Sequence, residues 1–268
     1  MNPITRTLIF GALVVAALPA AANERHWAYT YETATLPKGV TEIEPWTTVK
    51  LQKKDYFARI ENRLEFEMGL HDKLQLAAYI NTRGTFALNS AGTDYAKSFE
   101  FRGVSLELKG KLLDAVADPI GLGLYFELTG MPHEAEFEFK LLLDKRVGNF
   151  HFAFNAVYEH EMEGEYENGE LETEHTGKFE FDLGLGYFIT PNFSLGLELR
   201  NTNLIEGYKA FTHSTLFAGL TAAYSTEKFW LVFSVLPQIA AFKGATHGPQ
   251  NLAQHERVET RLLLGFHL

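Results

Sequence analysis

The sequence contains no cysteine. Disulfide staples and thiolate metal sites are therefore excluded, and the fold must rest on packing and hydrogen bonding. Beyond Leu18 no apolar run reaches the roughly 20 residues that a membrane-spanning helix needs. Positive charge is scarce as well: 24 basic residues stand against 34 acidic ones, a formal net charge of −10. That balance argues against a nucleic-acid partner and against a broad cationic face for docking on membranes. Nucleophile motifs are missing too. His151, His160, His175 and His213 offer bases, and Ser194, Ser214 and Ser234 offer hydroxyls. Yet His160 and Glu161 fall on opposite faces of an extended chain and make no local dyad. No catalytic residue, cofactor site or metal ligand follows from these residues.

What is present begins with an export signal. Arg6 precedes an apolar run from Leu8 to Leu18, and Ala20 to Ala22 supply a small-residue cleavage site before the polar NERH. This predicts a cleaved signal peptide over 1–22. The rest of the chain repeats one theme, about ten residues of apolar–polar alternation followed by a turn. The pattern recurs over 41–52, 59–70, 74–83, 104–112, 121–130 and 134–145. It continues over 150–161, 178–187, 193–202, 216–224, 229–237 and 257–268. The total is about 12 strands, an even number as bacterial membrane barrels require.

The connections fall into two classes. HDK at 71–73, DAVADP, DKRVGN, FITPN and STEK are tight. Longer links cover 85–97, 164–177, 205–214 and 240–255, and short and long alternate along most of the chain. Asn168-Gly169 is a strong two-residue turn signal. Pairing outward from it sets Glu159 opposite Lys178, Tyr158 opposite Phe179, Phe154 opposite Leu183, Phe152 opposite Leu185 and Phe150 opposite Tyr187. From HDK, Leu64 meets Ile80 and Glu61 meets Arg83. Both faces of each hairpin stay in phase.

A soluble sandwich or lipocalin-like barrel would show the same alternation with its polar face in water. Three features favour a transmembrane barrel over 41–268. The strands are near the 9–11 residues that cross a bilayer at a tilt. Phe150, Tyr187, Phe193, Tyr224 and Phe229 cluster near the tight turns, as an aromatic girdle does. The last strand ends on Phe266 and Leu268, similar to the C-terminal signal read by barrel-assembly machinery. The expected location is the cell outer membrane, with its lipid and lipopolysaccharide as surroundings.

The stretch WAYTYETATLPKGVTEIEPWTT, from Trp27 to Thr48, resembles the opening of a family of Gram-negative outer-membrane β-barrel proteins of unknown function. In that family YTYET-x-TLPKG precedes the first strand. The resemblance implies the same all-β fold and assigns no role to Tyr29, Tyr31, Glu32, Leu36, Pro37 or Gly39. From the residues themselves, Pro37-Lys38-Gly39 is a turn. The 23–40 segment is either folded inside the barrel or adds an edge strand.

With the apolar faces on lipid, the charged faces line the lumen. Glu61, Arg63 and Glu65 point there from the second strand, Arg83 from the third, and Glu107 and Lys109 from the fourth. Glu127 follows from the fifth, Glu138 and Lys140 from the sixth, and Glu159 from the seventh. Lys178, Glu180 and Asp182 complete the set with Glu198, Arg200, Glu259 and Arg261. Such charges must pair or touch water. Gly184, Gly186, Ser194 and Gly196 leave room near one end. Two readings of the lumen stand, a salt-bridged core and a narrow conduit for a small polar solute, with the acidic excess favouring cations or neutral solutes. An outer-membrane lipid hydrolase is a further alternative. The acidic stretch 160–175 lacks the spacing of a calcium loop and reads as a projecting hairpin.

Overall fold

The computed structural model describes residues 25–88, 94–131, 133–167 and 170–268. The signal segment 1–22 and the Asn168-Gly169 turn lie outside these residues. Among the described residues, twelve antiparallel strands close into one barrel, each paired with its chain neighbour and the last with the first. They are β1 (Thr41–Leu51), β2 (Phe57–His71), β3 (Leu74–Leu88), β4 (Tyr95–Leu113), β5 (Gly121–Gly130) and β6 (Glu134–Val147). The second half comprises β7 (Phe150–Glu167), β8 (Glu170–Thr190), β9 (Phe193–Glu206), β10 (Ala210–Ser225), β11 (Phe229–Lys243) and β12 (Val258–His267). Closure removes every free edge, the arrangement that satisfies the backbone in a bilayer.

Period-two alternation decides which side each residue takes. On β5, Tyr125, Glu127 and Thr129 are buried inside, while Leu124, Phe126 and Leu128 are exposed outside. On β8, Phe179, Phe181 and Leu183 face out and Glu180, Asp182 and Gly184 face in. Leu64 and Ile80 pair across β2 and β3 and are each 52% exposed. A belt of such side chains around the wall fits lipid and not water. Phe150 and Tyr187 lie 5.0 Å apart beside the tight turns, as in a girdle.

The β7–β8 register is the one expected from the Asn-Gly turn, with Glu159 opposite Lys178 and Phe150 opposite Tyr187. The Glu61–Arg83 and Leu64–Ile80 pairs are also present. The longer links differ from expectation. The described residues of 85–97, 164–177 and 205–214 are mostly strand, because the hairpins continue past the apolar belt; β4 has 19 residues, β7 has 18 and β8 has 21. Backbone ladders extend readily through polar sequence once a register is set, so alternation of apolar residues underestimates them.

The β11–β12 connection remains a loop. It folds back on the mouth, where Asn251 and Leu252 are buried and the Gln238 side chain accepts from the Asn251 amide at 2.6 Å. His255 in this loop packs edge-on against His213, ring centroids 4.6 Å apart. Burial, helped by His213, pushes the His255 pKa down to about 3 from 6.5. The docked ring thus stays neutral where a released one takes a proton. Docking weakens as pH falls from about 6.5 towards 3, since the released state binds the extra proton. Hydrogen exchange corrected for intrinsic rates should show residues 244–257 less protected at pH 4.5 than at pH 7.5. Equal protection at both would refute this assignment.

Candidate functional site

The interior divides into three zones stacked along the barrel. The first is a charged vestibule near the ends opposite the tight turns. A cavity of ≈ 140 Å³ there is lined by Glu61, Arg63, Glu136, Glu138, Lys140, Glu159, Lys178, Glu180, Arg200 and Arg261, with Tyr29, Tyr31, Trp46 and Thr48. A second cavity of ≈ 110 Å³ shares Glu61, Arg63 and Glu136 and reaches Arg83 and Arg102. Ion pairs hold the walls. Glu61 meets Lys50 at 3.1 Å and Arg83 at 3.2 Å, and Arg63 reaches Glu127 at 3.2 Å. Lys140 meets Glu138 at 2.9 Å, and Lys178 meets Glu159 at 2.5 Å. Arg200 bridges Glu180 at 2.8 Å and Glu259 at 2.9 Å.

The second zone is a partition made by the chain itself. Residues 25–36 run across the lumen without joining the sheet, and Trp27, Ala28, Thr30 and Leu36 are fully buried. A buried backbone outside a ladder needs other partners. Wall side chains supply them from around the barrel. The amides of Tyr29 and Thr30 each donate to Glu198 Oε1 at 2.7 Å, and the Ala28 amide donates to Oε2 at 3.2 Å. Asn155 imitates a neighbouring strand: its Oδ1 accepts from the Tyr31 amide at 2.7 Å and its Nδ2 donates to the Tyr31 carbonyl at 2.9 Å. The Leu36 amide donates to Gln75 Oε1 at 3.0 Å, and Arg261 donates to the Ala28 carbonyl at 3.1 Å.

Side chains of the partition fill the remaining space. The Tyr29 hydroxyl donates to Glu259 at 2.7 Å, under the Arg261 guanidinium 3.7 Å from the ring. Lys140 and Lys109 face the Tyr31 ring at 4.1 and 5.7 Å. The Trp27 indole occupies the room left by the small residues of β8 and β9. A Cβ at Gly184 would fall 2.5 Å from that indole, and one at Gly196 3.2 Å from it. Any larger residue at Gly184 would displace Trp27. The wall behind Tyr29 is apolar on its inner side too, with Trp46, Phe217, Trp230, Val232, Leu236 and Leu263 in one cluster with Ala28 and Tyr29. The chain then leaves the lumen through the Pro37-Lys38-Gly39 turn, where Gly39 takes φ +84° and its amide donates to the Gly69 carbonyl at 2.8 Å.

The third zone lies at the tight-turn end. A cavity of ≈ 190 Å³ there is lined by His26, Glu32, Thr33, Ala34, Asp144, Arg146, His151 and residues of the turns.

Of the residues that alternation sends inward, Glu61, Arg63, Arg83, Glu138, Lys140, Glu159, Lys178, Glu180, Glu259, Arg200 and Glu127 meet in the ion pairs above. Glu198 and Arg261 bind the partition instead. Asp182 and Lys109 are buried beside them. Glu65 and Glu107 form a separate buried group with Glu67, carboxylate oxygens within 4.8 Å of one another. Arg25 approaches Glu44 of β1 at 3.5 Å. Glu42, Glu44, Gln75 and Asn155 stand outside the lumen set expected from alternation, and Trp27 belongs to the 23–40 segment whose inward fold was one of two alternatives. The alternation in TEIEPW carries the signal for Glu42 and Glu44, and that in FHFAFNAVYEHE carries it for Asn155. Nothing in the order of residues marks Trp27. Ser194, Ser214 and Ser234 are buried, and the Ser214 hydroxyl accepts from the Asn201 side-chain amide at 3.3 Å.

Together these features define a transmembrane β-barrel whose lumen is divided by its own N-terminal segment. The chain belongs to a family of unknown function, DUF6662, whose model matches residues 19–268. No curated protein matches it in sequence. Among solved structures it is similar to the COG4313 outer membrane channel from Pseudomonas putida F1, with TM-score 0.60 and 15% identity over 87% of this chain and 97% of that one. The NanC porin aligns with TM-score 0.53 and 11% identity over 85% of this chain and 100% of that one. The translocator domain of the autotransporter NalP from Neisseria meningitidis gives TM-score 0.54 and 12% identity over 86% and 89%. At these identities the likeness is one of fold.

Proposed function

We propose that the protein is an outer-membrane channel for small polar solutes, held closed by residues 25–36. One observation carries this reading. The vestibule ends on Tyr29 and Tyr31, and the opposite cavity ends on His26, Glu32, Thr33 and Ala34. One short segment thus stands between the charged vestibule and the cavity at the tight-turn end. The description of two fold neighbours as an outer membrane channel and a porin supports the same role and location.

The vestibule charge bears on the solute. Its lining sets Glu61, Glu136, Glu138, Glu159 and Glu180 against Arg63, Lys140, Lys178, Arg200 and Arg261. The acidic excess of the whole chain is not concentrated there, so a neutral polar solute fits best and a small cation next. Reversal potentials of the barrel lacking residues 25–36, in a tenfold salt gradient, should give a weak selectivity, with cation and anion permeabilities within about threefold. Strong anion selectivity would overturn the solute assignment. The dense hydrogen bonding of 25–36 supports a second reading, a permanently sealed barrel that acts through its surface.

A further inference from the structure

We propose that His26, Glu32 and His151 form a binding site for a divalent transition-metal ion, zinc by its chemistry, which latches the N-terminal segment to the barrel wall. The inference goes beyond transport and holds whether or not the barrel conducts.

Two of the ligands ride on the partition and the third on the wall. His151 stands next to the first residue of β7, and one donor atom from each residue lies within 4.8 Å of the others. His26 Nδ1 and Glu32 Oε1 are already 2.9 Å apart. Donors 2.0–2.2 Å from a tetrahedral zinc are about 3.4 Å apart, so movements of about 1 Å close the site.

The stronger observation concerns the second nitrogen of His151. The residue is 6% exposed, and among the described residues its Nδ1 has no hydrogen-bond partner. Its Nε2 lies 3.2 Å from Asp144 Oδ2, and Asp144 Oδ1 accepts from the Thr33 hydroxyl at 2.6 Å. With Nε2–H donated to Asp144, Nδ1 carries a buried lone pair and nothing to receive it. Ordinary hydrogen bonding accounts for the His26–Glu32 and His151–Asp144 pairs but leaves that acceptor orphaned. A metal on Nδ1 completes the order carboxylate–histidine–metal, in which the carboxylate fixes the tautomer and raises ligand basicity.

The donor set selects the ion. Two imidazoles and one carboxylate suit zinc and its neighbours, whereas calcium and magnesium take oxygen ligands. Local charge agrees: Glu32, Asp114 and Asp144 line the cavity, while Arg146, the cation lining it, stacks 3.9 Å from the Phe188 ring. Three protein ligands leave a fourth position towards the ≈ 190 Å³ cavity for water or a small anion.

The test uses the untagged mature chain, folded in detergent and stripped with a chelator. Zinc titrated by calorimetry and cobalt followed by its visible absorption should each show one saturable equivalent. His26→Ala and His151→Ala should weaken that equivalent at least 100-fold, Glu32→Gln and Asp144→Asn by 10–100-fold, and His255→Ala not at all. Heat-modifiable migration on gels confirms that each variant is a folded barrel. Binding should also alter the fluorescence of Trp27, whose ring lies 4.8 Å from His151. Absence of a saturable equivalent, or one that persists in a folded His26→Ala/His151→Ala double variant, overturns the proposal. Neither result touches the transport reading, which conductance tests.

Discussion

Removal of residues 25–36 should convert a nearly silent barrel into a conducting one, with single-channel conductance raised about tenfold or more. The segment carries the indole and two phenol rings that fill the middle of the lumen, and its backbone spans the remaining gap. The wall does not depend on it for closure, because every strand finds its partners within the ladder. Twelve strands enclose a cross-section between the filled barrels of eight and the open porins of 16–18. Deletion would leave Glu198, Asn155 and Gln75 facing water instead of a backbone. Planar-bilayer recording of the deleted and intact chains, both verified as folded, gives the answer. A deleted barrel as silent as the intact one would sink the channel reading and favour the sealed scaffold.

Replacement of Glu198 by alanine should release the same segment without deleting anything. Its carboxylate accepts from three consecutive amides and from the Thr30 hydroxyl at 3.1 Å. Bonds to an ionised acceptor are roughly twice as strong as neutral ones. Loss of the carboxylate also strands several buried donors, so the docked state should weaken by about 3–5 kcal/mol. Glu198→Gln retains one acceptor oxygen and should fall between wild type and alanine. The readouts are channel open probability and tryptic cleavage at Arg25, which is 5% exposed in the docked state. Full protection of Arg25 in a folded Glu198→Ala barrel would show that the anchor lies elsewhere.

Both experiments turn on a part of the protein that periodicity does not describe. Alternation reads the wall well because each lipid-facing position must be apolar and its neighbours must not. Lys178 to Tyr187 illustrates this, and the Glu159–Lys178 register follows from the turn and the two-residue repeat. The method weakens on β11, where Trp230, Val232 and Leu236 are apolar inside and Phe229, Phe233 and Ile239 are apolar outside. A strand apolar over most of both faces marks the lumen only through Ser234 and Gln238. It weakens again beyond the apolar belt, where β7 and β8 continue through charged sequence.

The lumen contrasts with the wall. Glu198 is one inward carboxylate among many by pattern, and nothing local distinguishes it from Glu180. In the fold Glu180 meets Arg200, while Glu198 receives the amides of residues 170 positions or nearly so away. The glycines at 184 and 196 show the same limit. Their size announces space, but only the approach of Trp27 says what fills it.

The sequence by itself determined a cysteine-free chain that opens on an expected export signal, an all-β barrel of about twelve strands, the side of most strands that meets lipid, and the registers of two hairpins. Those properties follow from local repetition, where the side-chain period of two ties each residue to a face. Tertiary structure alone decided that the lumen is partitioned and that Glu198 and Asn155 hold the partition. It also decided that His26 and Glu32 face His151. Such contacts join residues more than a hundred positions apart through the closed wall, and no local period encodes them.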